Sequence, residues 1–264
     1  MINEYAINPR ADSTKTRAVI ESLVAELGEK LVFVTVSGSH LYGFPSPDSD
    51  YDLRGVHVLP LTKVLGLASA AETSEKTTVR DGVEADIVTH DLRKFCLLLL
   101  KRNGYVLEQL LSPHVVLTSP EQAELIEIAK LCVTRHHAKH YLGFADTTWR
   151  QFVKGDTALI KPLLYTFRVL LTGIHLMRTG EVESNIVTLN DTAKLSYITD
   201  LVARKSGEAE HAALPLVDMS LYESEYRRLT ADLEAAMAET TLPNDATGRA
   251  PLNDFLVRVR LAAG

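Results

Sequence analysis

The sequence predicts a mixed α/β (α+β) fold, in which a small mixed-sheet module over residues 1–118 precedes an all-helical domain over residues 119–264. Runs of apolar and β-branched residues typical of buried strands lie in the first part. Strand signals become rare after the segment SPHVVLTSPEQ, and long segments with helical periodicity follow it. A chain of 264 residues has room for two domains of modest size.

The module begins with a helix and a buried strand. Apolar residues follow helical spacing over residues 19–27, and Gly28 can end that helix. The run LVFVTV at residues 31–36 is apolar and rich in β-branched side chains, so it predicts a strand buried on both faces.

Two further strands are predicted in the module. The segment DYDLRGVHVLP indicates the second strand, and VEADIVTHD indicates the third. Between them, residues 61–82 show short helix signals and a turn at Asp81-Gly82. The segment LRKFCLLLLKRNG then predicts a helix that ends at Asn103-Gly104.

Charge and hydropathy exclude several classes of protein. A net charge of −6 argues against a non-specific nucleic-acid coat, although it leaves a local basic site open. The longest apolar runs are too short to cross a bilayer, and the N-terminal residues lack the apolar core of a signal peptide. We therefore expect no membrane association and a cytoplasmic location.

A Gly-Ser turn follows the first strand directly. Glycine at position 38 lets the backbone approach a ligand closely, and Ser39 adds a hydroxyl. The N–H groups of residues 38–40 would form an anion site. An ordinary turn at the end of a strand has the same composition, so this turn alone leaves phosphate binding open.

Three aspartates follow the turn. Asp50 and Asp52 lie two residues apart, so in a strand their carboxylates face the same side and repel unless a cation lies between them. Mg²⁺ or Mn²⁺ prefers such oxygen ligands, but a solvated turn that includes Asp48 and Ser49 is the alternative. Asp86 would complete a three-carboxylate cluster if its strand lies beside theirs, and such a cluster can hold two ions for phosphoryl displacement.

The string GSHLYGFPSPDSDYDLRGV resembles the DNA polymerase β-type nucleotidyltransferase superfamily. It is most similar to the branch of predicted nucleotidyltransferases that includes the RlaP-type, RNA-repair-associated proteins. The matching residues are Gly38, Ser39, Tyr42, Gly43, Ser49, Asp50, Asp52, Arg54, Gly55, Val56, Asp86, Asn103, Glu108, Lys161, Tyr165 and Arg168. The chain departs from the branch at Gly104, where the branch usually has proline, and this departure leaves the acceptor open.

The resemblance implies a metal-dependent transfer of NMP from an NTP to an acceptor hydroxyl, with pyrophosphate as the leaving group. Asp50 and Asp52 would bind both Mg²⁺ (or Mn²⁺) ions, Asp86 would bind the catalytic one, and these three residues would be catalytic. The nucleotide would be bound by Gly38, Ser39, Arg54, Lys161, Tyr165 and Arg168. Arg54 has a second interpretation as the ion-pair partner of an aspartate.

Partner and acceptor are less constrained. ATP or CTP would be the nucleotide, and the branch and the basic segment 135–168 favour an RNA 3′ end as acceptor. Adenylyl transfer to a protein or small molecule stays open, as does a nucleotide-binding sensor without turnover. The sequence assigns no role to the group formed by His136, His137 and His140, and it leaves the oligomeric state open.

Overall fold

The computed structural model describes residues 13–28, 30–67, 70–154, 159–207 and 219–263. Its contacts divide the chain into two compact units. The first, which we call the sheet unit, takes Met1–Leu41, Asp50–Cys132 and Asp245–Gly264, and the second, the helical unit, takes Tyr42–Ser49 and Val133–Asn244.

The helices and strands alternate in the first part of the chain and give way to helices alone. In chain order they are α1 (Ser13–Ala25), β1 (Lys30–Val36), α2 (Gly38–Tyr42), β2 (Tyr51–Val58), α3 (Leu61–Val64), β3 (Thr73–Arg80), β4 (Val83–Asp91), α4 (Leu92–Leu100), α5 (Gly104–Leu110), β5 (Val115–Leu117), α6 (Pro120–Lys130), α7 (His137–Lys154), α8 (Ile160–Thr179), α9 (Ile186–Ala193), α10 (Ser196–Gly207), α11 (Met219–Glu239) and α12 (Arg249–Leu261).

The sheet is mixed, as predicted. Its strand order is β3-β4-β2-β1-β5, with β2 and β4 parallel and the remaining neighbours antiparallel. The three predicted strands are confirmed as β1, β2 and β4. The helix signals over residues 61–82 were partly wrong, because β3 fills most of the second half of that segment and pairs with β4.

Each face of the sheet packs against different helices. On one face, apolar residues of α1 pack against inward-facing residues of β1, β2 and β4 to form the core. On the other face α4 and α5 cover part of the sheet, and Phe95 of α4 meets Phe33 of β1 edge to face. Since side chains of a strand alternate between faces, Asp52 and Arg54 lie on the second face, opposite Leu53.

The predicted boundary between residues 118 and 119 differs from the observed division. Helix α6 and the C-terminal helix α12 both belong to the sheet unit. The guanidinium of Arg260 in α12 donates to both carboxylate oxygens of buried Asp91, at 2.7 and 2.6 Å. Asp91 also caps α4 by accepting from the backbone N–H of Arg93. The chain therefore returns to the sheet unit at its C-terminal end because a buried ion pair and apolar packing hold it there.

The helical unit is built around α8, most of whose residues are buried. Helices α7 and α11 pack against α8, and the hydroxyls of Thr166 and Thr148 are hydrogen-bonded at 2.9 Å between α8 and α7. Gly173 allows a close approach of α11, because a Cβ there would lie 2.8 Å from Cδ2 of Leu233. The long helices expected beyond residue 119 are thus confirmed as α6, α7, α8 and α11.

Within the described segments, no helix combines the length and the apolar character that a membrane crossing requires.

Candidate active site

Two aspartates lie side by side on parallel strands. Asp52 of β2 is in register with Asp86 of β4, so both side chains project from the same face of the sheet. Their side chains are partly exposed, at 24% and 33%. The condition that the sequence left open, that the strand of Asp86 lies beside the strand of Asp52, is therefore met.

Arg54 bridges the two carboxylates. Its Nη2 donates to Oδ1 of Asp52 at 2.5 Å and to Oδ2 of Asp86 at 2.9 Å. Its Nη1 donates to the backbone carbonyls of Leu53 and Asp86, and its Nε donates to the hydroxyl of Tyr105. Each of the five N–H groups of the guanidinium thus has an acceptor, so the side chain is held in one orientation.

The charge of Arg54 is secure in this environment. Burial acts to lower its pKa, but Tyr105, Asp52 and Asp86 outweigh this effect, so the pKa is raised above its usual value. The guanidinium therefore stays protonated and offsets the repulsion between the neighbouring carboxylates of Asp52 and Asp86.

Gly38 lies directly against Asp52. Its backbone has a φ of +62°, and a Cβ added to it would come 1.9 Å from Oδ2 of Asp52. The backbone N–H of Ser37 donates to the carbonyl of Asp52 at 2.7 Å, which ties the end of β1 to β2. The Gly-Ser turn and the aspartate pair thus form one continuous feature, in which one oxygen of Asp52 faces Arg54 and the other faces the turn.

The remaining predicted residues of this region occupy less open positions. Ser39 is buried, and His40 stacks on the ring of Tyr51 with centroids 4.3 Å apart. Asp50 is partly exposed and immediately precedes β2.

Among the described residues, no group of three or more His, Cys, Asp or Glu side chains is arranged to hold a metal ion. The three aspartates are therefore not yet gathered into one ligand set.

The donor chemistry of the pair nevertheless fits a divalent cation. Asp52 and Asp86 both offer carboxylate oxygens, which are the ligands that Mg²⁺ and Mn²⁺ prefer. One oxygen of each converges on a single cationic nitrogen of Arg54, so the two side chains already point at a common positive centre. The metal-binding roles of Asp50, Asp52 and Asp86 stay predictions.

The three predicted nucleotide-binding residues of the helical unit all lie on α8. Lys161 and Tyr165 are partly exposed, but Arg168 is only 1% exposed. The guanidinium carbon of Arg168 lies 3.8 Å from the ring centroid of Tyr42, and Tyr165 meets the same ring edge to face. Arg168 is thus not on a solvated helix face, since a cation–π contact places it in the interior of the helical unit.

Sequence reasoning missed two buried or partly buried partners. Tyr105 accepts a hydrogen bond from Arg54 and so helps to hold it in place. Lys205, which is buried, donates to the hydroxyl of Ser46 at 2.7 Å within the helical unit. The phenol of Tyr105 follows directly after the Asn103-Gly104 pair, where the carboxamide of Asn103 caps α5 by accepting from the N–H of Tyr105. That helix start is the one sequence signal that points to Tyr105.

Two proteins of known sequence are similar to this chain. A protein of Methanocaldococcus jannaschii, the uncharacterized protein MJ0002, is 32% identical over 154 residues, which are 58% of this chain and 63% of that protein. The uncharacterized protein YcgL of Bacillus subtilis is 28% identical over 189 residues, or 71% of this chain and 69% of that protein. The chain thus spans somewhat less than two thirds of the length of the archaeal relative.

One solved structure among those similar to the chain is the nucleotidyltransferase-like protein from Exiguobacterium sibiricum 255-15. It shares 12% identity, with a TM-score of 0.33, and the match covers 85% of this chain and 74% of that one. The model of one protein family matches residues 13–258, which is nearly the whole chain. The chain belongs to the RlaP family, the RNA repair pathway DNA polymerase beta family.

Proposed function

We propose that the protein is a metal-dependent nucleotidyltransferase that transfers NMP from an NTP to an acceptor hydroxyl, and that the acceptor is an RNA 3′ end. The observation that carries the proposal is the in-register pair of Asp52 and Asp86 beside Gly38. The family to which the chain belongs consists of nucleotidyltransferases of the DNA polymerase β type. RNA as the acceptor is supported by the family description alone. ATP or CTP as the nucleotide stays part of the proposal.

The residues of the pair have distinct tasks in this proposal. One oxygen of Asp52 faces the Gly38 turn, which is the side from which the phosphates would approach. Asp86 accepts a hydrogen bond from Thr77 at 3.2 Å, and as a metal-bound carboxylate it would take the proton of the attacking hydroxyl. Arg54, once drawn away from a carboxylate, would donate to phosphate oxygens.

Two divalent cations, both held by Asp50 and Asp52 and the catalytic one also by Asp86, would supply positive charge to the attacking and the leaving oxygen. Lys161 and Tyr165, both partly exposed on α8, are the proposed contacts of the helical unit with the substrate. Arg168 is retained only as a positioning residue for that face, because it is buried.

The test is pyrophosphate release together with transfer of label from each α-³²P NTP, with Mg²⁺ or Mn²⁺, and with or without total RNA. We expect label on RNA in the wild type and none in Asp52→Asn. The matched control is Asp254→Asn, which makes the same change at an exposed position of α12 in the same unit. It should transfer as the wild type does.

Other outcomes separate the alternatives. Label on protein or on a small molecule would refute the RNA acceptor and keep the transferase. Measurable NTP binding with no pyrophosphate release under any of these conditions would refute turnover and favour a nucleotide-binding sensor. Equal transfer by the wild type and by Asp52→Asn would refute the assignment of the site.

A further inference from the structure

Arg54 occupies the position between the two carboxylates that a divalent cation would also take. Its Nη2 lies within hydrogen-bond distance of Oδ1 of Asp52 and of Oδ2 of Asp86. A metal ion that bridges the pair through these oxygens and the Nη2 group cannot occupy the same space. The arginine and the metal therefore exclude each other at this point.

Several features show that Arg54 is built into this position. All five of its N–H groups have acceptors, and its side chain is only 12% exposed. One of the acceptors, Tyr105, comes from α5, a separate element of the sheet unit. An exposed arginine that only met a carboxylate by chance would not have its Nε and Nη1 groups fixed by a tyrosine hydroxyl and two backbone carbonyls.

The bridge also has an electrostatic consequence. Two carboxylates on neighbouring strands repel each other unless a cation compensates them. In the protein without metal, Arg54 supplies that compensation, so the aspartates keep their positions before any ion arrives. An incoming ion must instead break two charge-assisted hydrogen bonds, which are stronger than neutral ones.

We propose that Arg54 is a resident cation that competes with the divalent metal for Asp52 and Asp86, and that it thereby weakens metal binding by the free protein. The inference rests on the proposed function for its biological meaning, because the metal matters only if the pair is a transferase site. Triphosphate oxygens give the displaced guanidinium a new partner. Metal and nucleotide are then expected to bind together more readily than the metal alone.

The experiment measures the affinity of the whole protein for Mn²⁺ alone, through loss of the electron paramagnetic resonance signal of the free ion. Arg54→Met removes the competing charge and should bind Mn²⁺ more tightly than the wild type. Removing a unit charge a few ångströms from a divalent ion changes affinity on the order of tenfold or more even in a water-like dielectric. Arg54→Lys keeps the charge without the fork and should show a smaller gain.

The matched control is Arg80→Met. Arg80 lies on β3 of the same sheet and pairs with Glu26, away from the two aspartates. Its replacement should leave Mn²⁺ affinity unchanged. A gain in Arg54→Met that disappears in Arg54→Met/Asp52→Asn would place the ion on the carboxylate pair.

The direction of the change separates competition from damage. A variant whose site is merely disordered binds Mn²⁺ as weakly as the wild type or more weakly, and that result in both Arg54→Met and Arg54→Lys overturns the inference. Arg54→Met could unfold in EDTA. In that case two measurements test the competition: whether Mn²⁺ restores the folded state of Arg54→Met, and whether Arg54→Lys binds Mn²⁺ more tightly than the wild type. Thermal unfolding with and without Mn²⁺ gives the second readout, because a ligand raises stability according to its affinity.

Failure of this inference and failure of the proposed function look different. If the variants bind Mn²⁺ with unchanged affinity while the wild type transfers nucleotide, only the competition between Arg54 and the metal is refuted. If Arg54→Met binds Mn²⁺ more tightly but the wild type transfers no nucleotide, only the transferase function is refuted.

Discussion

Replacing Gly38 by alanine should misplace the carboxylate of Asp52 and abolish most of the transfer activity. The added Cβ would lie 1.9 Å from Oδ2 of Asp52 and 2.8 Å from its Cγ. Carbon and oxygen atoms in ordinary contact are separated by about 3.5 Å, so the carboxylate must move by about 1.5 Å or the turn must open. The first change moves the carboxylate away from the position it shares with Arg54, and the second separates the turn from the carboxylate.

The size of the effect follows from that displacement. A misplacement of about 1 Å in a catalytic group can reduce the rate on the order of a hundredfold, so we expect at least that loss in kcat. Alanine in the left-handed region also costs about 1 kcal/mol of folding free energy, independently of the clash. The total loss of stability in Gly38→Ala should exceed that backbone cost, because the clash adds to it.

The assay compares Gly38→Ala with Gly28→Ala in pyrophosphate release and in thermal unfolding. Gly28 has a similar φ of +68°, but nothing lies within 4 Å of a Cβ added to it. Gly28→Ala should therefore lose stability alone and keep its kcat. A wild-type kcat in Gly38→Ala, with a stability loss no greater than that of Gly28→Ala, would refute the close approach of Asp52 to the turn.

Three further outcomes are expected. Asp50→Asn should abolish label transfer while the unfolding temperature stays near that of the wild type; active, folded Asp50→Asn would exclude this residue as a metal ligand. Arg260→Met should lower the urea-derived free energy of unfolding by about 3–5 kcal/mol, because Asp91 is left buried and charged, and Asp91→Asn in the same chain should recover part of the loss. Burial, and then Lys94, lower the pKa of His90 to about 4, so its contribution to stability is full above the usual pKa of 6.5 and is lost as the pH falls toward 4. Acid titration of unfolding should be shallower in His90→Asn, and an unchanged slope would contradict the assignment.

The strands that sequence analysis found are the ones buried in the sheet. β1, β2 and β4 carry apolar and β-branched residues on the α1 face, and this pattern is visible in the sequence. β3 escaped because it is an edge strand whose residues are mostly exposed and polar, so no apolar periodicity marks it. The turn at Asp81-Gly82, with both φ angles positive, is the signal that could have revealed it as one arm of a hairpin.

The candidate site was predictable only in its local parts. Asp52 and Asp86 each lie in a segment with the pattern of a strand, so the sequence could suggest both strands, and the structure brings these two residues to one face. Asp50 precedes β2, and its place on that face stays a prediction. The hydrogen-bond partners of Arg54 could not be predicted from the sequence. One of them is Tyr105, which lies 51 residues further along the chain. The helical face of Lys161 and Tyr165 was expected to include Arg168, but helical spacing cannot tell which side of a helix is solvated.

The string from Gly38 to Gly55 therefore serves two different environments. Its ends belong to the sheet unit, where Gly38 lies against Asp52, one member of the carboxylate pair. Its middle belongs to the helical unit, where Tyr42 lies under the guanidinium of Arg168 and the hydroxyl of Ser46 accepts from Lys205. Buried cations are costly unless they are partnered, so these aromatic and hydroxyl residues are needed there as partners even if they never touch a substrate. Part of the segment that resembles a nucleotide-binding motif is thus needed for packing in the helical unit. We expect substitutions in its middle to lower the stability of the helical unit first.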